Sequence, residues 1–232
     1  MSQTFSTSPA TLAAKLDNFP KYVRRQTLSR MLARYELFKM QVGVSGSVIE
    51  CGVHHGGGLF TWAKLSSALE PYAIHRRVYG FDTFEGFPGT SGHDRPGEPN
   101  PISAVGGFHP GYDVYEELTQ LIDEHDRNRY LADFKKIFLV KGDATATIPE
   151  FVRQNPHLLV SLLFMDFDLY EPTRVALEHF TPRMGRGAIL AFDDINNAWW
   201  PGETVALLDT LGVKAHRLER FPMDPNITYI VL

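Results

Sequence analysis

Cysteine is almost absent from this chain: Cys51 is the only one in 232 residues. A single thiol cannot close an internal disulfide, and it offers none of the paired spacing a zinc cluster needs. Its place in an apolar run marks it as a small buried residue rather than a reactive thiol. Long hydrophobic runs are also missing, since no stretch approaches the roughly 20 apolar residues that cross a bilayer. The Ser/Thr-rich N-terminus lacks the basic-then-apolar pattern of a secretory signal. Surplus basic charge is lacking too: 23 Lys and Arg stand against 27 Asp and Glu, a formal net charge of −4, which argues against a nucleic-acid face. Charge runs are short, and repeats and low-complexity tracts do not occur. These absences predict a soluble protein of a reducing compartment, most simply the cytoplasm, with neither nucleic-acid nor membrane partners. The length is enough for one large core.

What is present is organised around two acid-ended apolar runs. Leu162-Leu163-Phe164-Met165 leads into Asp166-Phe167-Asp168, and Ile189-Leu190-Ala191-Phe192 leads into Asp193-Asp194. A buried strand tolerates carboxylates only at its exposed tip, because an unpaired buried charge is heavily penalised. In an open parallel sheet the carboxyl ends of the strands are where ligands bind. Four acids from two neighbouring tips repel one another, and a hard divalent cation with oxygen ligands is the usual remedy. The competing reading is that these acids cap the helices and turns that follow.

Around them, strand-like and helix-like segments alternate. Residues 1–8 read as a frayed end and Pro9 to Phe19 as a short helix stopped at Pro20. Lys21 to Val42 carries apolar residues at helical spacing, with Lys21, Arg24, Arg25, Arg30 and Arg34 read as a solvated face. Strands follow at Ser47–Cys51, Arg77–Asp82 and Lys136–Lys141, then the two acid-tipped strands. Val213–Leu218 and Ile227–Leu232 form an antiparallel edge pair around the turn Phe221–Asn226. Helices are expected at Leu59–Leu69, Tyr112–Phe134, Ala144–Val152, Pro172–Phe180 and Gly202–Leu211. The alternation predicts one α/β domain, doubly wound around a mostly parallel seven-stranded sheet. The breaker-rich segment Thr83 to Gly111 is too long for an ordinary connection and reads as a lid.

The first strand runs straight into Glu50-Cys51-Gly52-Val53-His54-His55-Gly56-Gly57, and a helix follows. Glycines admit positive φ and close ligand approach, and a helix N-terminus favours an anionic group. The spacing is neither that of the dinucleotide fingerprint nor that of the phosphate loop. Asp82 at the second tip is placed to accept from a ribose, and Asp143 at the third to meet an adenine amino group; either could instead cap a turn or helix.

Glu50-x-Gly52-Val53-x-x-Gly56-Gly57, Phe81-Asp82-Thr83-Phe84-Glu85-Gly86-Phe87-Pro88, Met165-Asp166-x-Asp168-Leu169-Tyr170 and Asp193-Asp194 together resemble the macrocin O-methyltransferase family, over about Val48 to Trp200. The N-terminal helical extension over 1–46, read from the helical spacing, fits the family loosely. The resemblance implies a class I, Rossmann-like fold, one S-adenosylmethionine-dependent methyltransferase domain over 47–232 with the lid at 83–111. It implies S-adenosylmethionine held by Glu50, Gly52, Val53, Gly56, Gly57, Asp82, Thr83, Gly142, Asp143 and Asp166. It also implies magnesium or manganese on Asp166, Asp193 and Asp194, with Asp168 as general base toward a hydroxyl of a sugar, glycoside or related natural-product or polysaccharide acceptor. Self-association as a homo-oligomer, dimer or higher, is common for such folds. The sequence departs from the family after the acid pair, where Ile195-Asn196-Asn197-Ala198-Trp199-Trp200 stands in place of an aromatic.

Three other readings compete. A metal-dependent glycosyltransferase would use Asp166-Phe167-Asp168 as its Asp-x-Asp but leaves the glycine loop without a role. A catechol-type O-methyltransferase would carry a lysine where Leu169 stands. A non-catalytic cofactor-binding scaffold would not need four retained acids. Trp199 and Trp200 are candidates for an apolar wall over the acceptor, or for core. His54, His55, His93, His109 and His179 show no metal-ligand spacing, although His54 and His55 lie in the cofactor loop.

Overall fold

In the computed structural model, which describes residues 3–94 and 104–232, seven strands form a single sheet. They are β1 (Ser47–Cys51), β2 (Val78–Asp82), β3 (Ile137–Lys141), β4 (Val160–Met165), β5 (Met184–Phe192), β6 (Glu219–Phe221) and β7 (Asp224–Val231), in the order β3-β2-β1-β4-β5-β7-β6. β1 to β5 run parallel, and β7 lies antiparallel between β5 and β6. The strand order reverses between β1 and β4, the switch point at which an open α/β sheet leaves a crevice at its carboxyl edge. Among the described residues eight α-helices accompany the sheet: α1 (Gln3–Thr7), α2 (Leu12–Asp17), α3 (Arg25–Gln41), α4 (Gly57–Leu69), α5 (Val114–Arg127), α6 (Ala144–Gln154), α7 (Tyr170–Phe180) and α8 (Gly202–Thr210). Among the described residues no helix is long and apolar enough to cross a membrane.

The central strands are buried on both faces, which is why β1 and β4 read as unbroken apolar runs rather than alternating ones. Val48, Leu162, Phe164 and Ile189 face Trp62 and Phe38 on one side; Ile49, Leu163, Met165 and Phe192 face Phe180 on the other. Each such side chain contributes about 1.5–3 kcal/mol of burial. Cys51 is fully buried in the second cluster, as its apolar context predicts. Helix α3 packs against α4, β4, β5 and β7, with Ala33, Leu37 and Phe38 sealed from solvent.

Several boundaries differ from the sequence reading. The frayed end contains α1, and Lys15 Nζ donates to Phe5 O at 2.7 Å to tie α1 to α2. A 3-10 turn at Phe19–Lys21 delays the long helix to Arg25. Helix α5 stops at Arg127, and the Arg129 guanidinium binds the carbonyls of Tyr130 and Leu131 beyond it. Val213–Leu218 is not a strand: β6 is Glu219–Phe221, and β7 begins at Asp224. Gly212, at φ 65°, turns the chain out of α8, and the stacked rings of Phe221 and Tyr229, 4.9 Å apart, close the hairpin tightly at Pro222-Met223. Of the lid Thr83–Gly111, residues 95–103 lie outside the described residues. Its flanks pair through Phe87 N to Gly107 O (3.0 Å) and Gly106 N to Phe87 O (2.9 Å).

The ladder continues one rung past the strand ends and so aligns the tips. Gly52 N donates to Phe81 O (2.9 Å), Gly142 N to Asp82 O (2.9 Å), Asp166 N to Cys51 O (2.7 Å) and Asp193 N to Met165 O (2.9 Å). Gly52, at φ 92°, is required here, because a Cβ would stand 1.9 Å from the Asp166 carbonyl oxygen. Gly52→Ala is expected to destabilise the fold by on the order of 3 kcal/mol, measured as a lowered urea midpoint at constant m-value. An unchanged midpoint would show that this close approach does not constrain the edge.

Candidate functional site

One cavity of about 760 Å³ opens along this aligned edge, and among the described residues seven carboxylates and two guanidinium groups line it. Every site residue named from sequence reaches this cavity or the loop that forms it. Val53, Gly57, Asp82, Thr83, Gly142 and Asp143 line it on the glycine-loop side; Asp166, Asp168, Asp193 and Asp194 line it on the other. Gly56, left-handed at φ 81°, turns β1 into α4, and a Cβ there would collide with Leu118. A Cβ on Gly57 would meet nothing within 4 Å, so the helix start presents open backbone to the cavity.

Some of these acids have local structural duties as well. Asp82 Oδ2 accepts the amides of Val53 (2.7 Å) and His54 (2.8 Å), and Oδ1 accepts that of Phe84 (2.7 Å). It stitches the glycine loop to the second tip and holds His54 and Phe84 at positive φ. Asp143 caps α6 by accepting from the amide and hydroxyl of Thr145 at 2.9 and 2.8 Å. The capping interpretation therefore describes what these two carboxylates do within the fold, while both still border the cavity.

Glu50 is buried. Its Oε1 lies 3.5 Å from Arg34 Nη2 and would be met by a Cβ on Gly58, and among the described residues its Oε2 accepts no hydrogen bond. Burial pushes its carboxyl up to about 8, against the pull of Arg34. Arg34 also lies 3.8 Å from Asp166, and Arg30 pairs with Asp193. The solvated-face reading of α3 is thus wrong for these two arginines. They stand four residues apart, in the register of the buried Leu37, Phe38 and Gln41, and that spacing was the signal available in sequence.

Asp166 is pushed up to about 6, by burial first, with Arg30 and Arg34 pulling it down and Asp194 and Asp82 pushing it up. Asp168 is pushed up further, by burial and by the neighbouring Asp194, Asp166 and Glu203. It sits in a left-handed turn at φ 61°. Asp194 Oδ1 accepts from Asn197 Nδ2 at 2.5 Å. Among the described residues no three acid, histidine or cysteine side chains converge tightly enough to hold a metal ion.

Glu203 was not singled out in the sequence, because an acid in the first turn of a helix reads as a partner of the helix dipole. It is fully buried. Its Oε1 accepts the amides of Phe167 (3.1 Å) and Asp168 (3.3 Å), and its Oε2 accepts that of Asp194 (3.2 Å), so one carboxylate clamps both acid tips. Of the tryptophans, Trp200 lines the cavity and joins Phe87 and Phe108 in a cluster with ring centroids 5.4–6.0 Å apart, whereas Trp199 is 62% exposed. His54 edges onto Phe108, and His55 pairs with the Tyr112 hydroxyl at 3.1 Å. His109 Nδ1 instead accepts the Gly111 amide at 2.9 Å.

The profile of the macrocin O-methyltransferase (TylF) family matches residues 25–205. A mycinamicin III 3''-O-methyltransferase from Micromonospora griseorubida is 29% identical over 154 residues, covering 66% of this chain and 56% of the relative. An 8-demethyl-8-(2,3-dimethoxy-alpha-L-rhamnosyl)-tetracenomycin-C 4'-O-methyltransferase from Streptomyces olivaceus is 30% identical over 159 residues, with 66% and 54% covered. The chain spans about half the length of these curated relatives. The crystal structure of a calicheamicin methyltransferase superposes with a TM-score of 0.94 at 32% identity, over 99% of this chain and 89% of that one. The apo structure of a TDP-rhamnose 3'-O-methyltransferase of calicheamicin biosynthesis gives 0.83 at 30%, over 99% and 90%.

The crowded acids imply a pH dependence. Glu50 and Glu203 are pushed up to about 8 from 4.5, and Asp168 rises in the same direction, so the native state holds protons that the unfolded chain has released. Stability is then fully present below the unfolded value and is lost as pH rises toward the folded one. Burial lowers His54 and His125 from 6.5, which acts oppositely below that value, and Lys136, lowered to about 8, acts oppositely near and above it. The thermal midpoint of the ligand-free protein should therefore fall between about pH 6.5 and about pH 7.5. A flat or rising midpoint across that window would refute the protonated cluster.

Proposed function

The chain belongs to the macrocin O-methyltransferase family, and from that premise we propose that it transfers the methyl group of S-adenosylmethionine to a hydroxyl of a sugar, glycoside or related natural-product or polysaccharide acceptor. The observation that carries the reading is that a glycine-loop cradle and two acid-tipped strands open into the same cavity. Four acids on two tips then have a use beyond capping. The class I methyltransferase fold supplies the cradle, with β1, β2 and β3 offering their tips to the nucleoside.

In this reading the unpartnered Glu50 Oε2 accepts from the amino group of the methionine portion. Asp82 and Asp143 keep free lone pairs for ribose and adenine. Asp166, Asp193 and Asp194 would be the oxygen donors for magnesium or manganese, since carboxylate oxygens are the donor type a hard cation takes. When bound, such an ion lowers the pKa of a coordinated hydroxyl. Arg30 and Arg34 now supply the counter-charge on Asp193 and Asp166, so cation binding would require these pairs to loosen. Asp168, whose carboxyl burial and the neighbouring acids push up, would become a base once positive charge enters the cavity. Asp168 would then take the acceptor proton, and bound S-adenosylmethionine would supply the methyl group to the hydroxyl oxygen and leave as a neutral thioether. Alignment and charge placement account for most of the enzyme's contribution.

Phe87, Phe108 and Trp200 form the apolar wall against which a sugar's C–H face can lie. The catechol-type alternative is disfavoured, since its lysine position holds the buried Leu169. The same reading makes the protein a cytoplasmic homo-oligomer; the exposed Leu12, Leu16 and Leu32 on α2 and α3 are apolar surface available for self-association.

Calorimetry with S-adenosylhomocysteine is expected to show saturable binding, and absence of heat at millimolar ligand would reject the function. Asp168→Asn should lower kcat about 10²–10⁴-fold with labelled S-adenosylmethionine and a panel of glycosides including TDP-rhamnose, leaving S-adenosylhomocysteine affinity unchanged. Retained kcat would remove Asp168 from the chemistry. Trp200→Ala should raise the acceptor KM about tenfold with little change in cofactor binding; if KM is unmoved, the aromatic cluster is cover only.

A further inference from the structure

A buried carboxylate links the segment after β2 to the tip of β4. Asp94 is 4% exposed although it lies in a short 3-10 turn. Its Oδ2 accepts the amide (2.6 Å) and hydroxyl (2.7 Å) of Ser91, and its Oδ1 accepts the Tyr170 amide at 2.5 Å. Tyr170 opens α7, whose N-cap residue Leu169 has no side chain able to accept a hydrogen bond. Asp94 therefore supplies, from 76 residues away, the cap that the local sequence omits. Space is kept for it at Gly202, where a Cβ would stand 2.6 Å from Asp94 Oδ1 and 2.5 Å from Tyr170 N. The ring of His93 lies over that of Tyr170 with centroids 4.3 Å apart, a second contact between the same two segments.

Asp168 lies between two such clamps. Glu203 holds its own amide and that of Phe167, and Asp94 holds the amide two residues on. A left-handed aspartate persists only where its surroundings over-determine it. We propose that Asp94 is a positioning residue, which through the Tyr170 amide fixes the turn that aims the Asp168 carboxyl into the cavity. The inference rests on the reading of Asp168 as the base. It adds that the Ser91–Asp94 turn and the β4 tip behave as one unit, so that the base is aimed only while that turn is docked.

The test compares the full chain with Asp94→Ala and Asp94→Asn. The asparagine keeps an oxygen for Tyr170 but cannot accept from both Ser91 donors. Residue-resolved hydrogen exchange and methyl transfer from S-adenosylmethionine to TDP-rhamnose are both read. Asp94→Ala is expected to speed exchange at Tyr170, Phe167 and Asp168 about tenfold or more. It should also lower kcat about 10–100-fold, with KM for S-adenosylmethionine and affinity for S-adenosylhomocysteine held within about threefold. Asp94→Asn should recover most of both effects. Faster exchange confined to Tyr170, an unchanged kcat, cofactor affinity falling in step with kcat, or an asparagine no better than alanine would each overturn the proposal. If the native chain methylates no TDP-rhamnose, that acceptor assignment fails instead, and the spread of exchange from Tyr170 to Asp168 decides the positioning role alone.

Discussion

Carboxylates crowded at the edge of a buried sheet repel one another, and the site is built around offsetting that repulsion. At 4 Å and an effective dielectric near 20, two like charges cost about 4 kcal/mol. Three devices answer it. Backbone amides are one: Glu203, Asp82 and Asp94 each accept two or three hydrogen bonds from the loops they border. Guanidinium groups are the second, with Arg30 on Asp193 and Arg34 between Glu50 and Asp166. Protons are the third, held by Asp168 and Glu203 above the ordinary carboxylate range. Each device is local, yet together they fix which acids remain free for ligand.

The backbone is shaped to the same end. Gly52 lets β1 and β4 approach until a side chain would overlap the Asp166 carbonyl, and Gly202 leaves the gap through which Asp94 reaches Tyr170. His54, Phe84, Asp168 and Asn196, none of them glycine, sit in left-handed backbone in the loops after β1, β2, β4 and β5. Such conformations cost about 1–2 kcal/mol each and persist where the surroundings enforce them. Three of the four follow an acid that accepts amides from, or belongs to, the same loop. Strain and charge are thus concentrated at one edge, while the buried apolar strands behind it carry the stability.

The sheet was largely legible because burial on both faces leaves a plain signal: apolar runs of strand length that stop at Asp or Gly. The four acids and the glycine loop were legible for the same reason, since tips are where a buried strand can change character. Glu203 and Asp94 were not. A first-turn glutamate and a loop aspartate have ordinary surface explanations, and only the amides they accept from 35 and 76 residues away distinguish them. Arg30 and Arg34 carry charge, which usually marks a solvated face, whereas their heptad-like register with the buried Leu37 and Gln41 points them inward. The edge strand β6 was misplaced because a three-residue strand lies below the length at which periodicity carries information.

The offsetting of repulsion also explains what the cavity selects. Protons and guanidinium groups neutralise the acids only in part: among the described residues seven carboxylates face two arginines across the cavity. A ligand that brings positive charge to these acids relieves desolvated repulsion as it binds. A sulfonium and a divalent ion are both of the favoured kind, and each would draw Asp166 and Asp168 toward ionisation against the burial that now raises both carboxyls. The binding of one should then assist the other's chemistry without any change of fold, because the coupling passes through shared carboxylates rather than through moving elements. Under the proposed function, loss of the sulfonium charge on methyl transfer would remove part of that stabilisation, so the acids would hold the spent cofactor less tightly than the one that entered.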